Sequence, residues 1–102
     1  MNEQQVIDAL GALAQETRLR ILRYLVSKGQ VGAAAGDISA QVSASASRTS
    51  FHLSALADAG LVTATRVSRS IIYRVDFNAM GSLIGYLVKD CCKSDPRVIR
   101  CC

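Results

Sequence analysis

The chain has 102 residues, 50% of them apolar and 20% charged, which suits one domain with a modest core and excludes wholesale disorder. Twelve basic against eight acidic residues give a formal charge of +4, a balance compatible with a nucleic-acid partner. No run approaches the roughly 18 apolar residues of a membrane helix, and Met1-Asn2-Glu3-Gln4-Gln5 lacks the basic start of a secretory signal, so a cytoplasmic protein without a membrane partner is expected.

Glu3 to Ala14 reads as a first helix with Val6, Leu10 and Leu13 on one face. It is a candidate dimer element, the alternative being a helix packed on its own domain. The strongest helical pattern runs from Glu16 to Val26. Leu19, Leu22 and Val26 form its stripe and Ile21 and Leu25 widen it, so this helix is expected to be largely core. Arg18, Arg20 and Arg23 alternate around that stripe, either as a solvated face or as contacts to a DNA backbone. Ser27-Lys28-Gly29-Gln30 ends the helix.

Asp37 is a candidate cap for a short helix holding Ile38 and Val42, and Ser43-Ala44 supplies a turn. A second helix follows, started by Ser45 or Ser47, with an apolar ridge at Phe51, Leu53, Leu56 and Ala59 and a stop at Gly60. This is a helix-turn-helix pattern. Its front turns carry Ser45, Ser47, Arg48, Ser50 and His52, where a reading helix meets the major groove. Beyond Gly60 the period shortens. Leu61 to Val67 and Ile71 to Val75 favour strands, joined by a hairpin at Val67-Ser68-Arg69-Ser70. Arg69 near the tip is placed for a minor-groove or phosphate contact, or is an ordinary charged hairpin tip. Asp76 or Asn78 begins a last helix reaching Lys89, with Met80, Leu83, Ile84, Leu87 and Val88 at helical spacing.

The expected fold is therefore mainly α (α+β), a winged helix-turn-helix with a two-stranded β-hairpin wing, forming a homodimer through its N- and C-terminal helices. Residues 1–90 make the DNA-binding and dimerisation domain, and residues 91–102 a cysteine-bearing tail. All four cysteines fall there: Cys91, Cys92, Cys101 and Cys102. In a reducing compartment that arrangement points to metal binding or thiol redox chemistry rather than to a disulfide scaffold. A Gly-rich phosphate loop, catalytically spaced carboxylates and a histidine near the cysteines are all missing from the sequence, so an enzyme is not expected.

The segment Ala12-Leu13-Ala14-Gln15-Glu16-Thr17-Arg18-Leu19-Arg20-Ile21-Leu22 resembles the ALADPTRLRIL signature of the ArsR–SmtB family of metal-responsive repressors. Ser45 to Leu56, followed by Ala59-Gly60-Leu61-Val62, resembles that family's recognition-helix segment. The likeness runs over nearly the whole chain. It implies a homodimeric repressor that binds operator double-stranded DNA when ligand-free and lets go when a metal or metalloid ion binds. Ser47, Arg48, Ser50, Phe51 and His52 then lie in the recognition helix. Phe51 stands where many members have arginine, so the resemblance assigns it no base contact; Arg48 is able to read guanine bidentately, and His52 is assigned either DNA contact or a hydrogen bond to its own domain.

Many arsenic-sensing members carry two cysteines before the turn, where this chain has Ala34-Ala35-Gly36-Asp37. Members sensing zinc use carboxylates and histidines on the last helix, and this chain has no histidine there. Cys91-Cys92, then Asp95-Pro96, then Cys101-Cys102 resembles a third arrangement, responsive to arsenic. The inducer implied is trivalent arsenic or antimony (arsenite, antimonite), held by three thiolates. Cys91 and Cys92 supply two, and Cys101 or Cys102 supplies the third, with Lys89, Lys93 and Arg100 expected to favour the thiolate form. Cadmium or zinc on all four thiolates, or thiol oxidation or sulfide sensing, are the alternatives; a winged-helix interaction module without DNA binding is a further one.

Overall fold

A computed structural model describes residues 1–100, so Cys101 and Cys102 lie outside the described residues. Helix α1 (Glu3–Leu13) opens on a reciprocal cap. The Asn2 side chain accepts from the Gln5 backbone N–H and the Gln5 side chain accepts from that of Asn2, each at 2.8 Å. Helix α2 (Glu16–Lys28) begins where the Gln15 side chain accepts from the Arg18 backbone N–H, and Gly29, at φ +54°, ends it. The buried residues of α2 are Ile21, Leu22 and Leu25; Leu19 and Val26, expected in the core stripe, are exposed. The α2 stripe is thus narrower than its apolar composition implied.

Helix α3 (Ala35–Val42) starts two residues before Asp37, with Ala34 in the cap position and no side-chain cap, so Asp37 sits in the first turn instead of capping it. Ser43 takes the left-handed conformation at φ +54° and turns the chain into helix α4 (Ala46–Asp58). At the far end of α4, Gly60 at φ +78° donates to the Ala57 carbonyl and Leu61 donates to that of Leu56. This paired closure, with Leu56 and Leu61 both fully buried, fixes the angle at which α4 leaves for the sheet.

The sheet has three strands in the order β1-β3-β2, from β1 (Ala33–Ala34), β2 (Val62–Val67) and β3 (Ser70–Val75), all antiparallel. The hairpin of β2 and β3 forms as expected, with a two-residue connection whose first member, Ser68, has φ +58°. The third strand is an addition: Ala33 pairs with Tyr73 and Ala34 with Ile72. Gly32 makes that pairing possible. At φ +69°, a Cβ there would lie 2.5 Å from the Tyr73 carbonyl oxygen. The Arg74 side chain donates to the Gln30 carbonyl at 2.8 Å and pins the loop before β1 to the wing.

Asp76 caps helix α5 (Phe77–Gly85), its carboxylate accepting from the Ala79 backbone N–H at 3.0 Å. The last helix does not run on as α-helix to Lys89; from Tyr86 to Cys91 it widens into a π-helical turn, and helix α6 (Pro96–Ile99) follows. One core holds the molecule together. Val6, Ala9 and Ala12 of α1 meet Ile21, Leu22 and Leu25 of α2, Ile38 of α3, Leu53 and Leu56 of α4, and Val62 and Val75 of the sheet. Leu83 is the one buried residue of α5.

Candidate nucleic-acid interface

The start of α4 is built from serines. Ser45 is the cap, its hydroxyl accepting from the Arg48 backbone N–H at 3.2 Å and lying 3.4 Å from the Ser47 hydroxyl. The cap satisfies one backbone donor and leaves the positive end of the helix dipole facing outward, where phosphate is favoured. Ser47, Arg48 and Ser50 are all exposed on the first turns. Arg69 is exposed at the tip of the β2–β3 hairpin. These side chains project from two rigid elements tied to the same core, an arrangement that suits one helix in a groove and one hairpin beside it.

The opposite face of α4 is buried at Thr49, His52, Leu53 and Leu56. His52, grouped with the outward residues by sequence position, is 7% exposed and points into the domain. Its Nδ1 accepts from Arg18 Nε of α2 at 3.0 Å. Burial, then the charges of Arg18 and Arg48, hold its pKa below the usual 6.5. A neutral ring that accepts at Nδ1 carries its proton on Nε2. Phe51 shows the reverse displacement. Expected in the apolar ridge, it is 64% exposed, with the Arg18 guanidinium 5.7 Å from its ring centroid and the His52 ring edge-on at 5.8 Å. Leu53 and Leu56 of the expected ridge are buried; the buried face is completed by a threonine and a histidine, which apolar spacing alone does not mark, and Phe51 is the one ridge member turned outward.

At the far end of the chain, the thiols of Cys91 and Cys92 close the π-helical turn. Cys91 is exposed and Cys92 half-buried. The Cys92 thiol donates to Cys91 Sγ over 3.7 Å. That contact, then burial and the negative neighbours Cys91 and Asp95, push the Cys92 pKa up from 9.0. The expectation that Lys89, Lys93 and Arg100 favour the thiolate form does not hold at Cys92, where the neighbouring sulfur, burial and the Asp95 carboxylate favour the thiol. Among the described residues no group of three potential metal ligands comes together, and Cys101 and Cys102 lie outside them.

Comparison with known proteins bears on the helix-turn-helix directly. A family described as "Helix-turn-helix domain" matches residues 13–64. The HTH-type transcriptional regulator YgaV of Escherichia coli is 33% identical over 84 residues, 82% of this chain and 83% of that protein. An ArsR-like transcriptional regulator from Rhodococcus sp. RHA1 superposes with a TM-score of 0.78 at 27% identity, covering 95% of this chain and 89% of that one.

The chain belongs to the ArsR–SmtB-like family of winged-helix transcriptional regulators.

A further similar structure is the homodimeric winged helix-turn-helix DNA-binding domain from Mycobacterium bovis, described as a possible ArsR-family transcriptional regulator. It is 29% identical with a TM-score of 0.69, over 83% of this chain and 77% of that one. As an ArsR–SmtB-like regulator the chain is a DNA-binding protein and not an enzyme, and its partner is operator DNA. Among the described residues no helix is long and apolar enough to cross a membrane.

Proposed function

We propose that this regulator is a homodimeric repressor that holds its operator when ligand-free and releases it when trivalent arsenic or antimony is bound by C-terminal thiolates. Ser45, Ser47, Arg48 and Ser50 act at the groove and Arg69 at the wing, while His52 serves from inside the domain. The division into a DNA-binding and dimerisation body, residues 1–90, and a sensing tail, residues 91–102, belongs to the same reading. The observation that carries it is the pair of neighbouring thiols, 3.7 Å apart, at the end of the helix that follows the wing.

A site of neighbouring thiols suits a thiophilic metalloid. Arsenite reaches the site as the neutral trihydroxide. Each As–O bond broken releases hydroxide, each As–S bond formed releases a thiol proton, and the two leave together as water, with arsenic trivalent throughout. Protonated thiols are therefore no obstacle. Cadmium or zinc must instead displace the protons, so their affinity rises with pH. Cys91 and Cys92 provide two sulfurs and Cys101 or Cys102 the third.

The test is fluorescence anisotropy of the reduced protein on DNA from upstream of its own gene, titrated with arsenite between about pH 6.5 and 8. Release from wild type is expected, with a midpoint that does not move with pH, and none from the Cys91→Ser/Cys92→Ser double variant. A release midpoint that tightens steadily with pH for cadmium, with no response to arsenite, would transfer the site to a divalent soft metal. Release by oxidant alone, reversed by reductant, would make it a redox switch. Absence of any preference for that DNA over an unrelated duplex would remove the operator reading itself.

A further inference from the structure

Phe51 is the largest side chain on the outward face of α4. With about 3.6 residues per turn, Ser47, Phe51 and Ser54 fall on one line down the helix, with Arg48 and Ser50 on either side. All five are exposed. Short serines before and after it leave the phenyl ring standing proud of a face that is otherwise polar. An exposed aromatic ring in that position gains nothing from solvent. It is also held in place: the Arg18 guanidinium lies 5.7 Å from its centroid, the His52 ring meets it edge-on, and Arg18 Nε is bonded to His52 at 3.0 Å. Two side chains, Arg18 of α2 and His52 of α4, thus fix the direction of one apolar group.

A major groove offers one apolar feature on a base edge, the 5-methyl group of thymine; the other edges are donors and acceptors that a phenyl ring cannot satisfy. We propose that Phe51 reads a thymine methyl in the operator, and that Arg18 and His52 are positioning residues that aim its ring. The proposal rests on α4 occupying the major groove, as in the reading above. The basic balance of the chain and the Arg48 side chain on the same face complement the phosphate-lined groove that the ring would enter. The exposed apolar residues that suit a second protein copy, Ile7, Leu10, Phe77 and Ile84, lie on α1 and α5.

The experiment compares two duplexes of the upstream DNA, one made with thymidine and the other with deoxyuridine throughout. Both present the same donors and acceptors, and the second lacks every 5-methyl group. Wild type is expected to bind the methyl-free duplex about fourfold more weakly for each methyl engaged. Phe51→Ala should bind both duplexes alike, and Phe51→Leu should keep part of the difference. Because Phe51 is exposed, these variants fold, and thermal melting verifies it. His52→Leu should reduce the methyl dependence, and His52→Asn, which presents Oδ1 where Nδ1 accepted, should restore it. Equal wild-type affinity for the two duplexes overturns the proposal, as does Phe51→Ala retaining the full difference. Failure of wild type to prefer either duplex over unrelated DNA overturns both this inference and the groove assignment beneath it.

Discussion

His52 accepts a hydrogen bond from a cation, and that fixes the protonation state in which it works. Arg18 Nε donates to its Nδ1, Arg48 adds a second positive charge from α4, and the ring is buried. Asp8 of α1 and Asp58 of α4 line one groove with Arg18. The folded-state pKa lies below the unfolded 6.5. Its contribution to stability is therefore fully present above 6.5, falls as pH drops through 6.5 because the unfolded chain takes up the proton first, and has gone below the folded pKa. The expected outcome is a urea midpoint that declines on acidification below 6.5 more steeply for wild type than for His52→Asn. Subtracting the variant removes the carboxylates, which titrate in both. Parallel curves for the two proteins would show that His52 contributes no such dependence.

At the scale of elements, the short first strand depends on a backbone that only glycine supplies. Gly32 sits at φ +69° with the Tyr73 carbonyl oxygen, the Arg74 side chain and the Ile72 side chain all within 2.8 Å of where a Cβ would be. Gly32→Ala is expected to cost about 3 kcal/mol in urea denaturation, the sum of left-handed strain and displaced neighbours. A loss below about 0.5 kcal/mol would mean that β1 leaves the sheet without consequence. This strand was not legible in the sequence. Two alanines carry no β signature, and their pairing is set by β3 and not by themselves. The helix-turn-helix, the hairpin and the Asp76 cap were legible, because each rests on local chemistry: a serine cap, a positive-φ turn, a carboxylate before a helix. Within α4 the burial of Leu53 and Leu56 was legible, while the outward turn of Phe51 was not, since the buried face is completed by Thr49 and His52 and not by a further apolar residue. Nor was the π-helical turn at Tyr86–Cys91, which brings the cysteine pair to the end of a widened helix. For the candidate site, this meant that the residue types were readable, that His52 took the second of its two expected roles, a hydrogen bond to its own domain, and that the direction of Phe51 was missed.

The whole molecule has an apolar surface that its own fold does not cover. Its radius of gyration, 14.6 Å, exceeds the roughly 13 Å of a compact chain this long. Helix α5 buries one residue and leaves Ile84 55% exposed and Phe77 45%, while α1 leaves Ile7 53% and Leu10 42% exposed. Phe77, Gly81 and Ile84 recur at three- and four-residue spacing, so they form one stripe, and Met1 at the head of α1 borders the same groove. Two helices from each of two copies would bury these stripes together, and a twofold axis there would hold two copies of α4 at a fixed separation for a palindromic site. Ile84→Glu places a charge on that stripe without touching the core, the cysteines or α4. The variant is expected to sediment as a folded monomer where wild type sediments as a dimer. Its operator affinity should fall at least about a hundredfold, because the two halves no longer bind as one. A monomer that kept wild-type operator affinity would detach DNA binding from dimerisation. A variant that remained dimeric would place the contact on another face, and the cysteines at the end of the π-helical turn would then need a different route to the reading helices.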